Sequence, residues 1–98
     1  MLIISFAVRQ KLKQKHLVSP EEVRECFRNR EGGLLEDTRE QHRTDQPTWW
    51  FIAATNSGRF LKVVFVRRVV GSKVELHLRT AYPPNEEERR IYRQFGNR

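Results

Sequence analysis

The segment from Trp49 to Arg68 determines the fold and reads WWFIAATNSGRFLKVVFVRR. Its two halves, Trp49–Thr55 and Phe60–Arg67, are rich in aromatic and β-branched residues, which favour β-strands. Between them lies Asn56-Ser57-Gly58, a short turn-forming sequence, so the segment predicts a β-hairpin. Both faces of the second strand are largely apolar. Such a strand belongs in the interior of a sheet that is covered, at least in part, on each side.

The region before the hairpin predicts two helices. Ile4, Val8 and Leu12 recur at four-residue intervals and would form one apolar stripe on a first helix of about three turns. The sequence Ser19-Pro20-Glu21-Glu22 is typical of a second helix start, with a capping serine, a proline at the first position and a glutamate that completes a capping box. Cys26 falls on the apolar face of this helix, so we interpret it as a small core residue and not as a nucleophile.

The remaining segments predict more strands and a last helix. Leu34–Thr38 is short and suits an edge strand, and Lys73–Ala81, after a turn at Val69–Ser72, alternates like a half-buried antiparallel strand. Asn85 then caps a C-terminal helix. Together these elements predict a single α+β domain over residues 1–98, with a small antiparallel sheet of three to four strands, two N-terminal helices and one C-terminal helix.

Composition limits the classes of function. The 98 residues carry a formal net charge of +7, which attracts anions such as nucleic acid, an acidic protein or an anionic membrane surface. The single cysteine excludes an internal disulfide and fits a reducing compartment, and no apolar run approaches the length of a membrane span. We therefore expect a cytoplasmic protein without a membrane partner.

The positive charge is concentrated in two regions. Residues 1–16 contain four cations and no acid, and residues 59–79 contain six cations and one acid. Residues 17–48, by contrast, hold eight acids and five cations, a net charge of −3. The first helix and the last two strands would therefore form a positive patch suited to a polyanion.

Three segments resemble BrnT-type toxins. Lys15–Val23, KHLVSPEEV, resembles the family's KHGVSxEEA opening; the hairpin FIAATNSGRFLKVVFVRR resembles its FxAxGxSxxGRxLxVVYxxR segment; and LRTAYPPNEEERRIY resembles its ISAR…A…ERxxY close. The likeness covers nearly the whole chain in the same order. The chain departs from the family where Leu17 replaces the usual glycine, Lys62 interrupts an aliphatic strand, and Tyr82-Pro83-Pro84 lengthens the final connection.

This resemblance implies a fold, a substrate and a partner. BrnT-type toxins belong to the RelE/ParE-like superfamily of small basic ribonucleases, which arrest translation and are held inactive by an antitoxin encoded beside them. The resemblance therefore implies a RelE/BrnT-like fold, RNA as the substrate and an acidic antitoxin as the protein partner. RNA cleavage by the neighbouring 2′-hydroxyl needs a base, cations and an acid, but no metal ion or cofactor. The histidines are scattered and Cys26 lies on a core face, so we expect no zinc site.

Charge and position give the candidate site residues. Arg79 lies on the polar side of its strand and matches the arginine of the family's SAR motif; its guanidinium can grip a phosphate through two donors, or can instead pair with Glu75. His77 on the same side and His42 in a polar loop are candidate proton carriers, and Lys62 is a candidate phosphate contact. The further candidates for nucleic-acid binding are Arg59, Arg67, Arg68, Arg39, Arg43 and Lys15.

Other functions are compatible with the same residues. The chain could be a nucleic-acid-binding module without catalysis, or a protein-interaction domain whose cations serve an acidic partner, because fold alone does not decide activity. Inhibition of gyrase, an activity of some superfamily members, is a third alternative. Trp49 and Trp50 must face opposite ways on a strand, so one belongs in the core while the other could stack on an unpaired base.

Overall fold

A computed structural model of the chain describes residues 1–37 and 46–96. Within them the chain forms three α-helices and five strands, with a π-helical turn continuing the first and the last helix. In chain order the elements are β1 (Leu2–Ile3), α1 (Phe6–Lys11) with its π turn (Leu12–His16), α2 (Pro20–Asn29), β2 (Leu35–Asp37), β3 (Thr48–Ala54), β4 (Phe60–Val70), β5 (Lys73–Tyr82), and α3 (Glu86–Ile91) with its π turn (Tyr92–Gly96).

The five strands form one sheet in the order β1-β5-β4-β3-β2. The predicted α+β class is confirmed, but the predicted number of strands, three to four and all antiparallel, was too low. The additional strand is β1, which pairs with β5 in parallel, so the sheet is mixed. The amide of Leu76 donates a 2.8 Å hydrogen bond to the carbonyl of Met1, and this pairing holds the N-terminal residues in the sheet.

The N-terminal helix begins later than its apolar stripe predicted. Ser5 caps it by accepting from the amide of Val8, so Ile4 lies before the helix. The helix ends at Leu17, whose backbone is left-handed with φ of 53°. This conformation is unfavourable for a residue with a side chain and favours glycine.

The other predicted helix starts are confirmed. The side chains of Ser19 and Asn85 each accept a hydrogen bond from the backbone amide three residues later. In turn, the carboxylates of Glu22 and Glu88 accept from the backbone amides of Ser19 and Asn85. Each helix therefore begins with a reciprocal capping box, which satisfies two amides that the first helical turn leaves unpaired.

The predicted hairpin is also present, and both of its strands lie inside the sheet. β3 and β4 pair from Thr48 opposite Val66 to Ala54 opposite Phe60, and the turn between them includes Gly58 at φ of 90°. β4 runs on to Val70, three residues beyond its predicted end at Arg67, and the reversal occurs at Gly71, within the predicted turn, with φ of 63°. Positive φ at both glycines is the reason that the chain can reverse there.

The two faces of the central sheet pack differently. On the first, which we call the α2 face, Phe51 and Phe65 are almost completely buried and Phe27 of α2 packs against them, with ring centroids 4.9 and 5.4 Å away. On the second, the Lys62 face, α3 covers one side, where Tyr92 packs against Trp50 with ring centroids 5.7 Å apart. The rest of the Lys62 face carries the candidate site.

Candidate functional site

A hollow of about 250 Å³ lies on the Lys62 face of the sheet. Its floor is Val64 in the central strand, and residues of α1, β2, β3 and β5 surround it. Among the described residues that line it, three are basic and one is acidic. The lining residues are Lys11, Asp37, Thr48, Lys62, Val64, Arg79, Thr80 and Tyr82.

Strand register explains why these side chains meet. Residues directly opposite each other in neighbouring strands share a face of the sheet, so each set of partners forms a row across it. One row runs Asp37, Thr48, Val66, His77; the next runs Trp50, Val64, Thr80; and the third runs Ile52, Lys62, Tyr82. The hollow lies over these rows, beside the part of the face that α3 covers.

Arg79 lines the hollow and lies at a β-bulge in β5. Val64 pairs with Thr80 and Phe65 pairs with Leu78, which leaves Arg79 as the extra residue with no partner in β4. A bulge changes the direction of a side chain and shifts the alternation of the strand by one residue. Ala81, which strict alternation would place on the same face as Arg79, is accordingly fully buried, while Arg79 is exposed and lines the hollow.

Lys62 also lines the hollow, but its charge is already balanced. Its side chain is 6% exposed and its Nζ donates a 2.9 Å hydrogen bond to Oε2 of Glu88, to which the Tyr82 hydroxyl donates at 2.6 Å. The ammonium also lies 4.5 Å from the ring centre of Trp50. Lys62 is therefore part of a buried ion pair that joins β4 to α3, and it is less available to a ligand than the sequence predicted.

The Glu88 carboxylate is held in its charged form. Burial alone would raise its pKa, but hydrogen bonds from the Tyr82 hydroxyl, the Asn85 amide and the Lys62 ammonium together lower the pKa below the usual glutamate value. With Lys62 neutralised by Glu88, the cations that the described part of the hollow presents to a ligand are Arg79 and Lys11. Neither of these two cations forms an ion pair within residues 1–37 and 46–96.

Two histidines, His77 and His16, are among the described residues near the hollow. His77 lies on the Lys62 face, where its Nε2 is 2.9 Å from Oε1 of Glu75, so this glutamate pairs with His77 and not with Arg79. His42 falls outside the described residues.

His16, which the sequence left unassigned, has its ring centre 5.5 Å from that of Tyr82, a residue of the hollow. Burial, and then the charges of Lys11 and Lys15, lower the pKa of His16, so its imidazole is neutral at physiological pH.

Of the other predicted nucleic-acid contacts, those that the structure describes do not converge on the hollow. Arg59 donates hydrogen bonds to the carbonyls of His16 and Leu17, at 2.9 and 2.8 Å, and so fastens the end of the first helix. Arg67 and Arg68 are exposed on opposite faces of the β4–β5 hairpin. Lys15 is exposed on the first π turn, and Arg39 and Arg43 lie outside the described residues.

The structure thus brings together two of the predicted site residues, Lys62 and Arg79, and adds groups that the sequence reasoning missed. The added groups with polar side chains are Lys11, Asp37, Thr48, Thr80 and Tyr82. The basic first helix was a signal for Lys11. The others depend on strand register and on the bulge, neither of which has a local sequence signal in this chain.

In the part of the chain that the structure describes, no helix combines the length and the apolar composition needed to cross a bilayer.

Comparison with known proteins adds no functional assignment. No protein-family model matches the sequence, and a search of curated proteins returns no match.

Proposed function

We propose that this protein is a metal-independent endoribonuclease of the toxin type and that it binds the scissile phosphate in the hollow at Arg79. The observation that supports this proposal is the convergence of Arg79 and Lys11 on a recess that also carries hydroxyl groups and a carboxylate. An excess of cations in a recess suits a phosphate and stabilises the negative charge that develops on it during cleavage. The resemblance to BrnT-type toxins supports the same chemistry.

The proposed reaction is attack of the ribose 2′-hydroxyl on the adjacent phosphorus, which expels the 5′-oxygen and leaves a cyclic 2′,3′-phosphate. Arg79 holds the non-bridging phosphate oxygens through its two parallel N–H donors, and Lys11 adds positive charge. A base must remove the proton from the 2′-hydroxyl and an acid must protonate the leaving oxygen. No step requires a metal ion.

His16 is the candidate base best supported by the geometry. Its imidazole is neutral, as proton acceptance requires, and its ring packs beside Tyr82 at the edge of the hollow. His77 remains the alternative that the sequence indicated, since it occupies the first row of the same face, with Glu75 bound to its Nε2. The proposed protein partner is an acidic antitoxin that neutralises the positive patch.

Cleavage of a labelled RNA by the purified protein in excess EDTA tests the proposal. We expect Arg79→Ala to slow cleavage by about 100-fold or more, since a removed donor to developing charge typically costs that much, and to weaken RNA binding far less. Arg28→Ala is the matched control, because Arg28 is an exposed arginine on α2 that pairs with Glu21 away from the hollow. We expect its activity to equal that of the original protein.

The products and the histidine variants complete the test. We expect ends that carry a cyclic 2′,3′-phosphate, and we expect one of His16→Ala and His77→Ala to reduce the rate and remove the acidic limb of its pH profile. Regulated expression in bacteria should arrest growth and fragment RNA, and Arg79→Ala should do neither. The proposal is wrong if the protein cleaves no RNA with or without ribosomes, or if Arg79→Ala retains full activity.

A second candidate is a nucleic-acid-binding module without catalysis. The neutralisation of Lys62 by Glu88 and the pairing of His77 with Glu75 favour it, because each occupies a group that a nuclease could use. This module would bind RNA with an affinity that falls steeply with salt and would release no fragments. Arg79→Ala would then lower the affinity and reduce the slope of log affinity against log salt concentration by about one, the value expected for the loss of one phosphate contact.

A further inference from the structure

The end of the β4–β5 hairpin extends beyond the rest of the sheet. β3 pairs with β4 only as far as Val66, and β1 pairs with β5 only at Leu76 and His77. Beyond these positions β4 and β5 pair with no third strand in the part of the chain that the structure describes, although the N-terminal ammonium of Met1 donates to the carbonyl of Val74 at 3.2 Å. Three valines in this two-stranded ribbon are exposed: Val69 by 61%, Val70 by 55% and Val74 by 40%.

Two of these valines extend an apolar surface on the α2 face. Val69 lies opposite Val74, and Arg67 lies opposite Leu76, so these four side chains share the face on which α2 packs. The ribbon joins a recess of about 420 Å³ there. We call the recess and the two valines the apolar groove; the residues that line the recess include Phe27, Leu34, Trp49, Leu76, Arg30 and Arg67.

Among the described residues, the charged side chains that line the recess are positive, although Glu36 of β2, directly opposite Trp49, lies on the same face of the sheet. Arg30 and Arg67 line the recess, and no carboxylate does so in the part of the chain that the structure describes. Arg30 is held in place, since its Nη1 donates to the carbonyl of Gly32 at 2.6 Å and its guanidinium lies 5.9 Å from the ring centre of Phe51. An apolar recess with fixed cations at its edge is complementary to a ligand that is both apolar and acidic.

A protein segment fits these features better than RNA does. Exposed valines give nothing to a ribose-phosphate chain, but they add to the buried apolar area of a protein interface. The recess is formed by side chains, which receive the apolar side chains of a helix laid across them. The arginines would meet acidic residues on the flank of that helix.

We propose that the apolar groove binds an acidic amphipathic helix of a partner protein. The groove and the hollow at Arg79 lie on opposite faces of the sheet, so this proposal does not depend on RNA cleavage and the two can fail separately. Because Val69 and Val74 are exposed in the free chain, the partner gains its binding energy by removing them, together with Trp49, from water.

The test uses the full chain and a synthetic peptide of about 18 residues, which forms a helix of about 27 Å, close to the width of this domain. The peptide carries leucines along one face and glutamates elsewhere, and binding is measured by fluorescence anisotropy. Two control peptides are used: one with the same composition in scrambled order, and one with lysine in place of each glutamate. We expect each control to bind at least tenfold more weakly than the acidic amphipathic peptide.

Variants of the ribbon identify the binding face. We expect Val69→Asp/Val74→Asp to weaken binding of the acidic peptide at least tenfold and Val70→Asp to leave it unchanged, since Val70 is similarly exposed but points to the other face. Arg67→Glu is a second variant that keeps the valines; it should weaken the acidic peptide and strengthen the lysine peptide. Arg79→Ala should leave peptide binding unchanged. Circular dichroism confirms that each variant is folded.

Several results would overturn the proposal. It is wrong if the scrambled peptide binds as well as the amphipathic one, or if Val69→Asp/Val74→Asp and Val70→Asp act alike. Sedimentation equilibrium that shows a dimer, dissociated by Val69→Asp, would identify a second copy of this chain as the occupant. Loss of RNA binding in Val69→Asp/Val74→Asp with peptide binding retained would identify the groove as a nucleic-acid surface.

Discussion

The structure predicts how much the ion pair between Lys62 and Glu88 contributes to the free energy of unfolding. Glu88 uses both carboxylate oxygens: Oε1 accepts from the amide of Asn85, while Oε2 accepts from Lys62 and Tyr82. Glutamine has a single acceptor oxygen, so in Glu88→Gln either the cap or the Lys62 contact meets an NH₂ group instead. The lysine, only 6% exposed, then loses its balancing charge.

We expect Glu88→Gln to lower the free energy of unfolding by about 3 kcal/mol, the lower end of the cost of removing one partner from a buried pair, because Glu88 keeps some contact with water. For a domain of this size such a loss corresponds to a fall of about 15 °C in Tm. Urea denaturation followed by tryptophan fluorescence measures it. Lys62→Met/Glu88→Gln should recover part of the loss, since the buried charge is then removed with its partner.

Glu87→Gln is the matched control, because Glu87 neighbours Glu88 on α3 and also pairs with an arginine, but both of those side chains are more than half exposed. Exposed pairs contribute little, so we expect this variant to unfold like the original protein. The reasoning about Lys62 is refuted if Glu88→Gln is no more destabilising than Glu87→Gln. It is equally refuted if the double variant loses the sum of the two single losses.

The pH dependence follows from the same carboxylate. Its pKa is lower in the folded than in the unfolded chain, so its contribution to stability is complete above the ordinary glutamate pKa of about 4.3 and is lost as the pH falls through the folded value. Glutamine does not titrate. The gap in unfolding free energy between the original protein and Glu88→Gln should therefore narrow below about pH 4, whereas a gap independent of pH would contradict this assignment.

Three further predictions concern single residues. Leu17→Gly should raise the free energy of unfolding by about 1 kcal/mol, because Leu17 is 78% exposed and left-handed, while Leu17→Ala, which keeps the strain, should not. Gly32→Ala should lower the free energy of unfolding by about 2 kcal/mol, because the new Cβ would lie 2.5 Å from the Tyr92 hydroxyl oxygen. Gly33→Ala should change this free energy little, since its Cβ would lie 3.5 Å from the nearest atom, and equal losses in the two variants would exclude the clash. Burial raises the pKa of Cys26 to about 11, so a disulfide reagent at pH 8 should modify this thiol only after unfolding, and rapid labelling of the folded chain would contradict its burial.

Local sequence signals predicted the elements of this fold well, because each of them acts within a few residues. Ser19 and Asn85 have their capping partners three positions away, and the turn at Gly58 joins strands that are adjacent in the chain. β1 was missed because its two residues owe their strand conformation to Leu76 and His77, more than seventy positions later. A helical stripe that began at Ile4 hid this long-range pairing.

The candidate site was harder to predict, because it depends on a single register shift. Strict alternation along β5 would place Thr80 with Leu78 on the α2 face and Ala81 with Arg79 on the other. The bulge exchanges the faces to which the side chains after Arg79 point. Ala81 therefore enters the core, while Thr80 and Tyr82 join Arg79 around one recess. The polar alternation that singled out Arg79 thus gave the right residue, but the neighbours that make it a candidate site come from the irregularity. A change that removes the bulge would therefore bury Thr80 and disperse the hollow even with every charged residue retained, which makes the bulge as important to the proposed chemistry as the arginine that it presents.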